Sequence, residues 1–231
     1  MEAFMKISAI IVAGGRGRRM GADINKVFLP LCGKEILAHT LTAFEACDKI
    51  DETVVVTAAG DIERVKDIAA RYGIKKLVSI AEGGNERQDS VYNGLRAAAG
   101  ELAVIHDGAR CLITPDEISA VIDDAVKYGA AALGVTVKDT LKAIDEHGSI
   151  TGTIDRERIV QIRTPQVFPT AVIKTMHEDI SARGIAVTDD CSVYEYFGKT
   201  VHVTIGSYDN IKLTTPEDIT IGEQIIRRRL G

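Results

Sequence analysis

The feature that most constrains this chain is an alternation. Short, β-branched runs at Ile7–Val12, Glu52–Thr57, Lys76–Ile80, Leu102–Asp107 and Ala131–Val137 are separated by stretches whose apolar residues recur at helical spacing. Unbroken apolar runs of this length read as strands buried on both faces, and the helices between them serve as crossovers. The pattern predicts an α/β fold built on a doubly wound, mostly parallel, Rossmann-like sheet. Helix ends are written locally. Asp61 and Gly73 bracket one helix, Thr114-Pro115 opens another and Thr215-Pro216 a third, as an N-cap followed by proline at the first helical position does. A chain of 231 residues suffices for one such domain, 1–231. The alternation breaks at about 136–160, where Lys138–Ile144, the polar turn Asp145-Glu146-His147-Gly148 and Ser149–Asp155 read as a β-hairpin. An excursion with so little core of its own needs a partner surface, so it is expected to be a protruding dimerisation arm.

Composition removes several classes. A net charge of −5 disfavours general nucleic-acid binding. No stretch approaches the ~20 apolar residues of a membrane span, and Glu2 lies in a first segment too short for a secretory leader. Cys32, Cys47, Cys111 and Cys191 form no C-x-x-C pair, which fits reduced thiols in a cytoplasmic protein better than zinc or disulfides.

The candidate site begins where the first run ends. Ala13-Gly14-Gly15-Arg16-Gly17-Arg18-Arg19-Met20-Gly21 leads to Lys26. Glycines without a Cβ let backbone N–H groups approach an oxyanion, and the cations suit a polyphosphate. Two familiar phosphate loops are excluded: Met20 stands where the dinucleotide fingerprint needs its third glycine, and Lys26 is followed by Val27, not by Ser or Thr. A second glycine turn, Gly83-Gly84-Asn85-Glu86-Arg87, opens a helix on which Arg87 and Ser90 share a face. Asp107 ends a buried strand, where ligands bind in open α/β sheets, and a hard carboxylate there suits Mg²⁺ completed by substrate phosphates. A helix cap or a solvated turn would use the same residue types. His106, without Cys or His partners nearby in sequence, is expected to be structural, and Arg227-Arg228-Arg229 to be a solvated helix end.

Eight segments in order, G-x-G-R-R-M-G…K, G-G-N-E-R-Q-D-S-V, H-D-G-A-R, V-K-D-T-L-K, D-R, R-T-P-Q-V-F, T-D-D-C-S and D-N-I-K-L-T-T-P-E-D, resemble the 2-C-methyl-D-erythritol 4-phosphate cytidylyltransferases. The resemblance implies transfer of a cytidylyl group from CTP to that polyol phosphate with Mg²⁺, in isoprenoid precursor synthesis, by a homodimer. It implies catalytic cations Arg19 and Lys26. Nucleotide contacts would come from Ala13, Gly14, Gly15, Gly17, Gly84, Asn85, Arg87, Ser90, Ala109 and Arg110. Thr140, Arg156, Thr188 and Lys212 would hold the polyol phosphate, Thr140 from a partner's arm, and Asp107 with Asp209 would sit by the metal. Two positions depart from the pattern: Cys111 replaces a usual proline and Asn85 a frequent aspartate. A ribitol 5-phosphate cytidylyltransferase would share the nucleotide loops, and a non-catalytic nucleotide-binding module would not need Lys26, Asp107 and Lys212 together.

Overall fold

The computed structural model describes residues 5–14 and 25–231. The chain runs through β1 (Ile7–Val12), β2 (Pro30–Leu31), β3 (Lys34–Glu35), α1 (Ile36–Glu45), β4 (Glu52–Thr57), α2 (Ile62–Tyr72), β5 (Leu77–Glu82), α3 (Arg87–Ala97), β6 (Leu102–Asp107), α4 (Pro115–Tyr128), β7 (Ala131–Thr136), β8 (Leu141–Ile144), β9 (Ile150–Ile154), β10 (Val160–Pro169), α5 (Thr170–Ala182), α6 (Asp190–Tyr196), β11 (His202–Ile205) and α7 (Pro216–Leu230). Among the described residues seven strands form the main sheet, in the order β11-β7-β10-β6-β1-β4-β5. Every neighbouring pair in it is parallel except the two made by β10, which runs antiparallel to both β6 and β7.

The mostly parallel sheet expected from the alternation is therefore present, and its two faces explain the β-branched runs. Ala9, Ile11, Val55 and Val104 pack against α1, α2 and α4 through Leu41, Phe44, Ile68 and Val121. The intervening residues Ile10, Val56, Ala103 and Ile105 pack on the other face against α3, α5 and α6 through Val91, Leu95, Ile173 and Tyr194. Val54, Val55 and Val56 are all fully buried. Each such side chain contributes roughly 1.5–3 kcal/mol of transfer free energy. Helix α3 lies close against β1, because a Cβ on Gly94 would fall 2.4 Å from Ile10 Cγ2. That approach fixes the N-terminus of α3 beside the carboxyl end of β1.

The helix ends follow the sequence signals. Thr114 and Thr215 open capping boxes ahead of Pro115 and Pro216, and Gly73 adopts the left-handed conformation after α2. Asp61 stands at the N-cap of α2 without a side-chain cap bond. The excursion is a hairpin: among the described residues β8 and β9 pair only with each other. It exposes Ile144, Ile150 and Ile154. The chain returns as β10, whose ladder to β7 shifts register between Ile162 and Gln166. This irregularity sets Thr164 against the end of β6.

One expectation is corrected here. Arg227–Arg229 are not simply solvated. Arg228 and Arg229 pair with Asp209, and Arg229 also donates to the Leu112 carbonyl at 2.8 Å. The C-terminal helix is pinned by these cations to the loops beneath it. Below it, Leu31, Ile36, Cys111, Leu112, Leu213 and Ile225 form a third apolar cluster. All the cysteines are free thiols, with Cys32 exposed and the others buried. Among the described residues no helix is long and apolar enough to cross a membrane.

Candidate active site

Parallel strands deliver their carboxyl ends to one rim. In register, Val12 at the end of β1 lies beside Asp107 at the end of β6. The chain leaves β1 through Ala13, whose N–H donates to Val56 O at 2.7 Å and whose carbonyl accepts from Asn25 Nδ2 at 2.6 Å. Asn25 also accepts from Val27 N, capping the short turn Lys26–Phe28. One side chain thus ties the turn bearing Lys26 to the strand end. Ala13 is buried, and a Cβ on Gly14 would lie about 4 Å from Ser90 Oγ.

The second glycine turn meets this rim. Gly83 N donates to Thr57 O at 2.8 Å, continuing the β4–β5 ladder. Gly84 admits no side chain, since a Cβ there would come within 2.2 Å of Asp89 Cβ. Its N–H donates to Ser90 Oγ at 3.1 Å, and that hydroxyl donates to Glu86 O. A capping box between Glu86 and Asp89 closes the start of α3. Asn85 stands exposed at the turn's tip.

Asp107 is the centre of charge. Its Oδ1 accepts from Arg87 Nε at 3.2 Å and its Oδ2 from Lys212 Nζ at 2.8 Å, with Arg110 Nε 3.7 Å from Oδ2. Burial alone would raise this carboxyl, but Arg87, Lys212 and Arg110 outweigh it and hold Asp107 well below the usual carboxylate range. Arg87 is opposed in the same way: burial disfavours its charge, and Asp190 with Asp107 overcomes that. Arg110 is lowered by burial despite Asp107. Its Nη1 donates to Asn210 O, and Leu213 N donates to Ala109 O, so the loop carrying Lys212 is stitched to the turn after β6. His106 is fully buried between Thr164 Oγ1 at 3.0 Å and Arg110 O at 3.2 Å, and burial drives it to about 3. A neutral imidazole there is structural, as its sequence setting suggested.

A rim of this kind, with cations from three loops around one carboxylate, suits paired phosphate-bearing anions more than a nucleophilic side chain. A model of the family IspD, 2-C-methyl-D-erythritol 4-phosphate cytidylyltransferase, matches residues 7–228. The chain belongs to this family. A 2-C-methyl-D-erythritol 4-phosphate cytidylyltransferase of Pelotomaculum thermopropionicum is 42% identical over 98% of this chain and 96% of the relative. One from Clostridium botulinum is 47% identical over 96% and 98%. Among solved structures, 4-diphosphocytidyl-2C-methyl-D-erythritol synthase of Anaerococcus prevotii superposes with a TM-score of 0.87 at 32% identity, covering 98% of this chain and 100% of that one. The cytidylyltransferase of Thermus thermophilus gives 0.78 at 28% identity over 94% and 98%.

The residues expected from the 2-C-methyl-D-erythritol 4-phosphate cytidylyltransferase resemblance do not all fall in one place. Arg87, Arg110 and Lys212 converge on Asp107, and Ala13, Gly14, Gly84, Ser90 and Ala109 belong to the same strand ends and turns. Lys26 follows the cap Asn25. Gly15, Gly17 and Arg19 lie outside the described residues. Thr140 and Arg156 stand exposed at the root of the arm, where Arg156 donates to Lys138 O, and Thr188 shares a hydrogen bond with Ser192. Asp209, the other residue expected beside a metal, faces the C-terminal helix. Its carboxylate is paired with Arg228 and Arg229, the first of which chiefly holds it low, so it serves as the anchor of α7.

Three residues of the rim escaped the sequence reading. Asp190 receives Arg87 Nη2 at 2.9 Å, Thr164 Oγ1 accepts from Asp107 N at 3.1 Å, and Gln166 Oε1 accepts from Asp190 N. The doubled acid Asp189-Asp190 was the available signal. One acid caps the helix, and the other is left over to pair with a cation.

Proposed function

We propose that this protein transfers the cytidylyl group of CTP to 2-C-methyl-D-erythritol 4-phosphate, giving 4-diphosphocytidyl-2-C-methyl-D-erythritol and pyrophosphate. The observation that carries the reading is the convergence of Arg87, Arg110 and Lys212 on Asp107 at the rim where β1 and β6 end. The phosphate oxygen of the polyol attacks the α-phosphorus of CTP, and the bond to the pyrophosphate oxygen breaks with its electron pair. The nucleophile belongs to the substrate, so the protein supplies position and charge. Lys26 and Arg19 neutralise the crowded phosphorus and the leaving pyrophosphate. The resemblance assigns nucleotide contacts to Ala13, Gly14, Gly15 and Gly17, and the glycine turn at 83–85 approaches the nucleotide through its backbone. Lys212, with Arg156 and Thr188, holds the polyol phosphate.

Mg²⁺ belongs to the same proposal. Among the described residues no group of three or more His, Cys, Asp or Glu side chains is placed to hold a metal. The buried Asp107 carboxylate fits the mode in which Mg²⁺ takes one protein carboxylate and completes its shell with phosphates and water. Bound there, the ion would supply charge neutralisation on the triphosphate. Homodimerisation through the arm is supported by the exposed Ile144, Ile150 and Ile154 on β8 and β9. Sedimentation should give a dimer, and Ile150→Asp should shift it toward monomer.

The test is pyrophosphate release from CTP with 2-C-methyl-D-erythritol 4-phosphate, with ribitol 5-phosphate in its place, and with Mg²⁺ chelated. Release is expected with the first acceptor and the metal present. Release with neither acceptor would end the proposal, and preference for ribitol 5-phosphate would reassign the substrate.

A further inference from the structure

Asp190 holds no role in the transfer described above, yet it is wholly buried and charged. A carboxylate so placed needs a partner for each oxygen. Its Oδ2 accepts from Arg87 Nη2 at 2.9 Å, and its Oδ1 meets His177 Nε2 at 3.1 Å. An ionised carboxylate only accepts, so His177 Nε2 carries the proton. Asp190 N and Cys191 N both donate to Gln166 Oε1, and Gln166 Nε2 donates to Asp189 Oδ2 at 2.8 Å. The carboxylate is thereby fixed from its backbone and from both oxygens.

Arg87 is the link outward. Its guanidinium is divided between two acids, Nη2 to Asp190 and Nε to Asp107 Oδ1. Lys212 holds the other oxygen of Asp107. An unbroken line of contacts therefore runs His177–Asp190–Arg87–Asp107–Lys212. We propose that Asp190 is a positioning residue that, by sharing Arg87 with Asp107, sets how Asp107 presents Lys212 to the phosphate of the acceptor substrate. This rests on the cytidylyl-transfer reading of Lys212. With Asp190 neutral, the whole charge of Arg87 falls on Asp107, drawing it toward α3 and loosening its hold on Lys212.

Steady-state kinetics and lysine ammonium NMR test it together. Asp190→Asn keeps the shape and should raise KM for the polyol phosphate about tenfold, with kcat and KM for CTP within about twofold. His177→Gln keeps a donor for Asp190 and should retain wild-type constants, whereas His177→Phe should fall between wild type and Asp190→Asn. In the substrate-free protein, hydrogen exchange at Lys212 Nζ should quicken about fivefold in Asp190→Asn, with Lys66 as an unaffected internal reference. A rise in both KM values together, equal behaviour of the two His177 variants, or unchanged exchange at Lys212 would overturn the proposal. Should Asp190→Asn fail to fold, the His177 pair carries the same test. If the wild-type protein does not turn over, the functional reading fails while the exchange measurement still decides whether Asp190 braces Lys212.

Discussion

Asp107 and Asp209 make an instructive pair. Each is an aspartate among arginines, and each was expected beside a metal. Asp107 keeps 10% of its side chain exposed and sits where three chain segments meet, with Arg87, Arg110 and Lys212 on its two oxygens. Asp209 keeps 22%, and its partners Arg228 and Arg229 come from one helix and keep 66% and 31%. Coulomb attraction between exposed partners is screened and offset by side-chain entropy, and the same attraction under cover is strong and costly to break. Charge composition alone does not distinguish a site from a fastening. Burial and the number of independent chain segments that converge do.

The largest effect should appear when the covered pair is broken. Asp107→Asn leaves Arg110 buried without an anion and should cost about 3 kcal/mol of stability, read as a lower urea midpoint. A loss no larger than that of an exposed pair would erase the contrast.

Acid should separate the two regions next. His106 beside Asp107 is held at about 3 in the folded state, against about 6.5 unfolded. A depressed folded value means that stability is complete above the unfolded value and is lost as pH falls below it. The expected slope is roughly 1.4 kcal/mol per pH unit, or about 2 kcal/mol between pH 6.5 and 5, and the half-buried His39 adds in the same direction. Asp107, also depressed, joins this loss only below about pH 4. Denaturant unfolding at stepped pH checks the sign and the onset. A flat profile from pH 7 to 5 would show that His106 is not held neutral.

A smaller change is expected from Lys212→Gln, which removes the most exposed cation of the rim. It should raise KM for the polyol phosphate about tenfold while moving the urea midpoint little. Smallest of all is Asp209→Asn. It should cost less than about 1 kcal/mol, and added salt should reduce the difference from wild type.

The same distinction explains what the sequence disclosed. The strands were legible because residues such as Val54–Val56 are buried on both faces, which leaves an unbroken apolar run. Asp107 was legible because a charged residue ending such a run has nowhere to be but a rim. The direction of β10 was hidden, since Thr164-Pro165 and Pro169 interrupt a ten-residue strand with residues that ordinarily break one. The fate of Arg87 was hidden for a different reason. Its partner Asp190 lies 103 residues away, and no local spacing relates them. Arg228 and Arg229 read as a helix end complementing its dipole, a local rule that a tertiary contact with Asp209 overrode.

Pyrophosphate release measured side by side for wild type, Asp107→Asn and Asp209→Asn tests the account most directly. The expected result is a loss of about 10²–10³ in rate for Asp107→Asn, the size of losing one preorganised electrostatic group, with Asp209→Asn within about twofold of wild type. Equal losses in the two variants, or the larger loss at Asp209, would contradict it.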